Sequence, residues 1–167
     1  MGQINHFYVI LPALSFVTTI SLAVIAILKR KNNKVNIWFS ICALWWALIP
    51  LIFIIHHLTD NIDLLLRAER TIEFFFVYGV PLQIVLFHRL CNTKKIKFEI
   101  VLTIMSFLFS ITAFSEYCIV GMRQYNWGYI AYGGLTFNLF ALYALFGIIY
   151  GIRFIYKQYK QQKNEII

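Results

Sequence analysis

The chain has 167 residues, of which 60% are apolar and 13% charged, and its formal net charge is +8. Water-soluble domains carry about 25% charged residues, so this composition argues against a soluble globular body. The basic residues fall in clusters between long apolar runs, which argues against nucleic acid as the reason for the positive charge.

Five apolar runs occupy residues 7–28, 35–57, 71–90, 98–120 and 129–156. About 20 apolar residues cross the ~30 Å hydrocarbon core as a helix. In hydrocarbon every backbone polar group needs an internal partner, so continuous apolar runs form helices. A membrane β-barrel would instead alternate apolar and polar residues over segments of about 10 positions. The expected fold is all-α: a polytopic bundle of five transmembrane helices forming a single membrane domain over residues 1–167.

The first run follows the uncharged residues 1–5 and is too long for the core of a cleavable signal peptide. It is expected to be retained, with Lys29, Arg30, Lys31 and Lys34 as its stop. The second run carries Cys42 and Pro50 and ends at His56 and His57. Residues 58–70 mix Asp60, Asp63, Arg67, Glu69 and Arg70 with Leu64, Leu65 and Leu66, which predicts an amphipathic half-helix leading into the third run. That run holds Glu73, Pro81 and His88, and the basic loop 91–97 follows it. The fourth run reaches Glu116 and Cys118, and a loop over 121–128 carries Arg123, Tyr125, Asn126 and Trp127, with Tyr and Trp as interface anchors. The fifth run contains Gly147 and Gly151 and leaves through Arg153, Lys157, Lys160 and Lys163.

Twelve of the 15 basic residues lie in segments 29–34, 89–97 and 153–163, which share one side if there are five spans. The positive-inside rule makes that side cytoplasmic, with the N-terminus out and the C-terminus in. The predicted location is therefore the cell membrane, in a multi-pass arrangement, with lipids as partners and some attraction to anionic headgroups.

Pro12, Pro50 and Pro81 each remove a hydrogen bond from a membrane helix and kink it. Pro50 and Pro81 are candidate hinges, against simple packing irregularity. Gly147 and Gly151 form a GxxxG that lets backbones approach closely. Either a second copy in a homodimer or another span of this chain fits that packing role. Cys42, Cys91 and Cys118 lie at different depths, so no disulfide is expected.

Ionisable residues gather at the outer side: His6, His56, His57, Glu69, Arg70, Glu73 and Glu116. Such residues in or near spans are often functional. A ligand site is read from Glu73, Glu116, Trp127, Tyr125, Asn126 and Arg70, lying between kinked spans two and three. The plainer reading has interfacial side chains reaching water, with Arg70 and Glu73 pairing at i, i+3. A metal-dependent enzyme using His56, His57, Glu73 and Glu116 is a third reading. No HExxH organises these residues, and adjacent histidines point about 100° apart on a helix. His88 is a membrane away from His56 and His57, so no bis-histidine haem joins them. No catalytic residue, metal or cofactor is assigned, and no nucleophile elbow, P-loop or dinucleotide fingerprint is present.

The basic turn 29–34 with Asn36, the stretch Ala43-Leu44-Trp45-Trp46-Ala47-Leu48, and Arg70 followed by Pro81 and Phe87 are followed by Tyr125-Asn126-Trp127-Gly128-Tyr129 with Gly133, Gly134 and Phe137, and by the exit at 156–159. Their order resembles the N-terminal seven-span sensor region of bacterial and archaeal histidine kinases, which also precedes diguanylate cyclases. The resemblance covers nearly the whole chain. It implies an input module that signals through its exit helix. The family's region has two further spans and an output domain, neither of which lies in these residues. The expectation is therefore a truncated form or a module working through a separate kinase or cyclase partner. The first functional reading is a sensor-like module, not an enzyme, that responds to a small ligand or to the bilayer. The second is an accessory subunit of a larger membrane complex. A transporter is disfavoured by the lack of an inverted repeat.

Overall fold

The computed structural model describes residues 7–29, 34–125 and 128–165, with side chains described for 8–29, 34–125 and 128–161. The elements run α1 (Phe7–Leu28), α2 (Lys34–Trp46), α3 (Leu48–Leu58), α4 (Ile62–Phe76), α5 (Gly79–Leu90), α6 (Ile96–Thr112), β1 (Ile119–Tyr125), β2 (Gly128–Gly133) and α7 (Leu135–Glu165). The chain is mostly helical. Among the described residues four helical stretches are long and apolar enough to cross a membrane: Tyr8–Leu28, Lys34–Leu58, Ile62–Leu90 and Leu135–Gln161. The second joins α2 to α3 and the third joins α4 to α5. Leu11, Leu14, Val17, Ile104, Leu108, Leu142 and Ile152 are exposed, whereas Ser40, His88, Ser106 and Ser110 are buried. Apolar outside and polar inside is the arrangement that a hydrocarbon solvent selects.

Three hydroxyls of α1 bond to their own helix: Thr18 to Leu14 O at 2.8 Å, Thr19 to Ser15 O at 2.7 Å and Ser21 to Val17 O at 2.8 Å. Self-satisfaction of this kind lets polar side chains ride an apolar helix. Ser40 joins α2 to α1 by donating to Ala23 O at 2.8 Å, with Ala23 fully buried. Asn36 Nδ2 donates to Lys29 O at 3.1 Å across the basic turn.

Pro50 and Pro81 occupy the same place in their spans, the third residue of the helix after a break. Proline is tolerated in a first turn because those N–H groups have no intrahelical partner. Pro81 leaves Val77 O without its usual donor, and Ser106 Oγ of α6 supplies one at 2.7 Å. Trp45 covers the same break: its Nε1 donates to Phe75 O at 3.1 Å, and its ring stacks on Phe76 at 4.7 Å. Gly79 makes room for it, since a Cβ there would lie 1.9 Å from the indole. Around the break Val77, Val80, Ile84, Leu102, Phe140 and Tyr143 form the core that joins α4, α5, α6 and α7. Tyr143 donates to Leu102 O at 2.8 Å.

Two sequence expectations require correction. The fourth run does not continue as a helix to residue 120: α6 ends at Thr112, and residues 119–125 and 128–133, expected as span ends and a loop, pair as antiparallel strands instead. The chain remains mostly helical, with one two-stranded sheet among the described residues. Ser110, Thr112 and Ser115 each turn their hydroxyl onto the carbonyl three residues back, at 2.8, 2.8 and 2.7 Å. The backbone tightens likewise, with Ala113 N bonding Ser110 O and Ser115 N bonding Thr112 O. This bonding competes with the helix ladder and closes it. The fifth run begins its helix at Leu135 rather than 129, and α7 then extends to Glu165.

Candidate functional site

At the hairpin end of the bundle, α3, α4 and the two strands enclose a set of polar side chains. His56 in the last turn of α3 is 5% exposed, and its Nε2 lies 3.4 Å from Glu69 Oε1. Neither ring nitrogen of His56 makes a well-formed hydrogen bond among the described residues, although the Tyr129 backbone flanks the ring. One turn on from Glu69, Glu73 is 7% exposed and its Oε1 has no partner among the described residues. Arg70 Nη2 donates to Ile119 O at 2.8 Å, while its Nε has no partner among the described residues. Isolated buried polar atoms of this kind are costly unless something pairs with them. Asn61 sets where α4 begins, its side chain accepting from Leu64 N at 3.1 Å. The Asn61 cap therefore places Glu69, Arg70 and Glu73 at their height.

The hairpin root ties this cluster to α7. Ile119 O receives Arg70, the adjacent Cys118 O accepts from Gly134 N at 2.8 Å, and Tyr117 O accepts from Thr136 N at 2.9 Å. Gly134 is required for that approach, because a Cβ there would lie 2.5 Å from Tyr117 O. Burial, reinforced by Glu73 and opposed by Arg70, pushes the Cys118 thiol up to about 12. His57 stacks on Tyr8 at 5.8 Å and lies against Gly128, whose φ of +147° and 3.1 Å distance from a hypothetical Cβ to the imidazole both favour glycine.

The structure brings together only part of the expected ligand set. Arg70 and Glu73 are in the buried cluster. Glu116 is exposed in the turn after α6, because the helix that would have aligned it with Glu73 has already ended. Tyr125 is exposed at the tip of β1, and Asn126 and Trp127 lie outside the described residues. His56 and Glu69 join Arg70 and Glu73 instead. No three His, Cys, Asp or Glu residues converge as a metal site among the described residues. Gly147 and Gly151 pack within the chain: Cβ atoms there would lie 2.6 Å from Val80 Cγ1 and 2.5 Å from Phe87 Cε2 of α5.

At the opposite end is a second cluster that sequence reading passed over. His88, fully buried, pairs its Nδ1 with Glu99 Oε1 at 2.8 Å and its Nε2 with the Tyr150 hydroxyl at 3.0 Å. Arg89 Nη2 donates to the other Glu99 oxygen at 2.8 Å. Glu99 can only accept here, so the ring donates to it from Nδ1. This cluster locks α5, α6 and α7 together. Its signal was two ionisable residues, His88 and Glu99, flanking one short basic loop.

In comparisons with known protein families, curated proteins and solved structures, the chain matches none.

Proposed function

We propose that this chain is a multi-pass protein of the cell membrane with five spans, α1, α2–α3, α4–α5, α6 and α7. Its N-terminus faces out and its C-terminus faces the cytoplasm. The 17 residues of α6 are about 25 Å long at 1.5 Å each, enough with its flanks for a thin crossing. The basic segments then share the cytoplasmic side, as the positive-inside rule asks.

On this topology the protein is a sensor-like input module. Its outer site is the His56, Glu69, Arg70 and Glu73 cluster, which suits a small polar or cationic ligand. The observation that carries the reading is the hydrogen-bonded bridge from Arg70 through residues 117–119 to Gly134 and Thr136. A ligand that pairs with Glu73 or Arg70 would bias that bridge. The first turn of α7 would then move, and α7 continues to the basic end, 31 residues in all. The change is a population shift, driven only by the ligand's differential affinity for two packings. The resemblance to histidine kinase sensor regions supports the same direction of signalling.

The alternative, an accessory subunit packed through Gly147 and Gly151, is weakened because α5 already fills that face. Purification from the native host in mild detergent, with mass spectrometry of co-eluting proteins and small molecules, separates the two. A partner with a cytoplasmic output domain, or a small molecule lost in Glu73→Gln, supports the sensor. A stoichiometric membrane-complex core bound regardless of Glu73 and Arg70 makes the chain a structural subunit.

A further inference from the structure

At the basic end of α7 a groove of about 290 Å³ is lined by Lys95, Arg153 and Lys157 and by the rings of Phe146, Tyr150 and Phe154. Three features make it more than a patch of surface lysines. First, the aromatic residues recur every four positions and form a ladder: Phe146 to Tyr150 is 6.3 Å, and Tyr150 to Phe154 is 6.0 Å with planes 11° apart. Second, Lys95 is held in place. Its Nζ lies 5.8 Å and 5.2 Å from the centroids of Tyr150 and Phe154, and it donates to the Tyr150 hydroxyl at 3.4 Å. That hydroxyl is itself anchored by buried His88 at 3.0 Å. Third, Arg153 and Lys157 are in no ion pair among the described residues, and the carboxylate of the adjacent cluster, Glu99, is already committed to His88 and Arg89. The groove thus combines three cations at one end with an apolar ring surface that continues toward Ile149 and the rest of the exposed apolar face of α7.

We propose that this groove binds one anionic phospholipid. Its phosphate would lie among Lys95, Arg153 and Lys157, with the start of an acyl chain along Phe146 and Ile149. A free phosphate would use the cations and leave the rings without a role, whereas a phospholipid uses both halves. Basic pockets at the cytoplasmic edge of membrane helices recognise headgroups in this way. The site abuts His88 and Glu99, so an occupying lipid would bear on the lock that joins α5, α6 and α7. The inference requires α7 to cross the membrane and is independent of the sensor reading, which concerns the other end.

The test is native mass spectrometry of the full chain in mild detergent, titrated with phosphatidylglycerol and with phosphatidylcholine of the same acyl chains. Retention of phosphatidylglycerol over phosphatidylcholine is expected. Arg153→Gln and Lys157→Gln, both at exposed positions, should each weaken it about fivefold, the scale of one basic residue near an anionic headgroup. Lys95→Gln should do the same, and Arg123→Gln at the hairpin should change nothing. Equal retention of the two lipids overturns the proposal. So does an equal loss in Arg123→Gln, or full displacement of the lipid by millimolar inorganic phosphate.

Discussion

Ser106→Ala removes the one donor that replaces the missing N–H of Pro81. The Val77 carbonyl then sits at a helix break in a dry core with nothing to accept from. Leaving a buried acceptor unpaired costs about 1–3 kcal/mol, while hydrogen bonds between membrane helices average about 0.6 and reach about 1.7 kcal/mol. Ser106 is fully buried and its bond is short, at 2.7 Å. A loss of about 1.5 kcal/mol is therefore expected, near the top of the membrane range. Ser110 is equally buried, but its hydroxyl bonds Phe107 O of its own helix and lies 3.2 Å from the Tyr78 hydroxyl, so Ser110→Ala should cost about 0.6 kcal/mol, the average for a bond between membrane helices. The decisive comparison is a double-mutant cycle. Pro81→Ala restores an N–H four residues after Val77, so Ser106→Ala in that background should cost much less, with only the 3.3 Å contact to the Tyr143 hydroxyl left to lose. Reversible unfolding in mixed micelles measures all four proteins. An equal cost for Ser106→Ala in both backgrounds would refute the reasoning.

Other consequences follow from close contacts and burial. Gly79→Ala drives a methyl into Trp45 and should cost about 1–3 kcal/mol by overpacking; in a Trp45→Ala background, itself destabilised, the same change should add almost nothing, as read by thermal unfolding. Gly151→Ala presses on Phe87, and its cost should largely disappear when measured against Phe87→Ala rather than against the parent. Glu99→Ala leaves His88 and Arg89 without their shared carboxylate, with an expected loss of about 3 kcal/mol in the same assay. Because the Cys118 thiol is raised to about 12, its thiolate is scarce at pH 8 and grows only as pH climbs toward that value. Alkylation of the intact protein at pH 8 should therefore leave Cys118 unmodified, and partial unfolding of the hairpin should expose it.

The long apolar helices were legible because a long apolar run has one solution in hydrocarbon, and the half-helix leading into Glu73 was legible from its mixed charge and leucine pattern. The hairpin was hidden because Ile119, Val120, Met122, Tyr129 and Ile130 read equally well as the ends of two apolar runs. The contrary signals were the hydroxyls at Ser110, Thr112 and Ser115 and the glycines at 121, 128, 133 and 134. That one error displaced Glu116, which stays at the depth of Glu73 only on a continuous helix. Arg70 and Glu73 were found because an ionisable residue near a span is conspicuous by itself. Their linkage to Ile119 and to α7 depends on tertiary pairing 49 residues apart and has no local signature. The same holds for His88 and Tyr150, which meet across 62 residues.

The central claim is that the outer polar cluster sets the position of the α7 exit. The most direct measurement is the distance distribution between spin labels at Lys94→Cys and Tyr156→Cys, with the native cysteines replaced, in lipid nanodiscs. Glu73→Gln and Arg70→Gln alter the cluster without touching the labelled end. The account predicts a shift of about 2 Å or a second population in these variants, the scale of helix shifts in switching proteins. Superimposable distributions in the parent and both variants would contradict it.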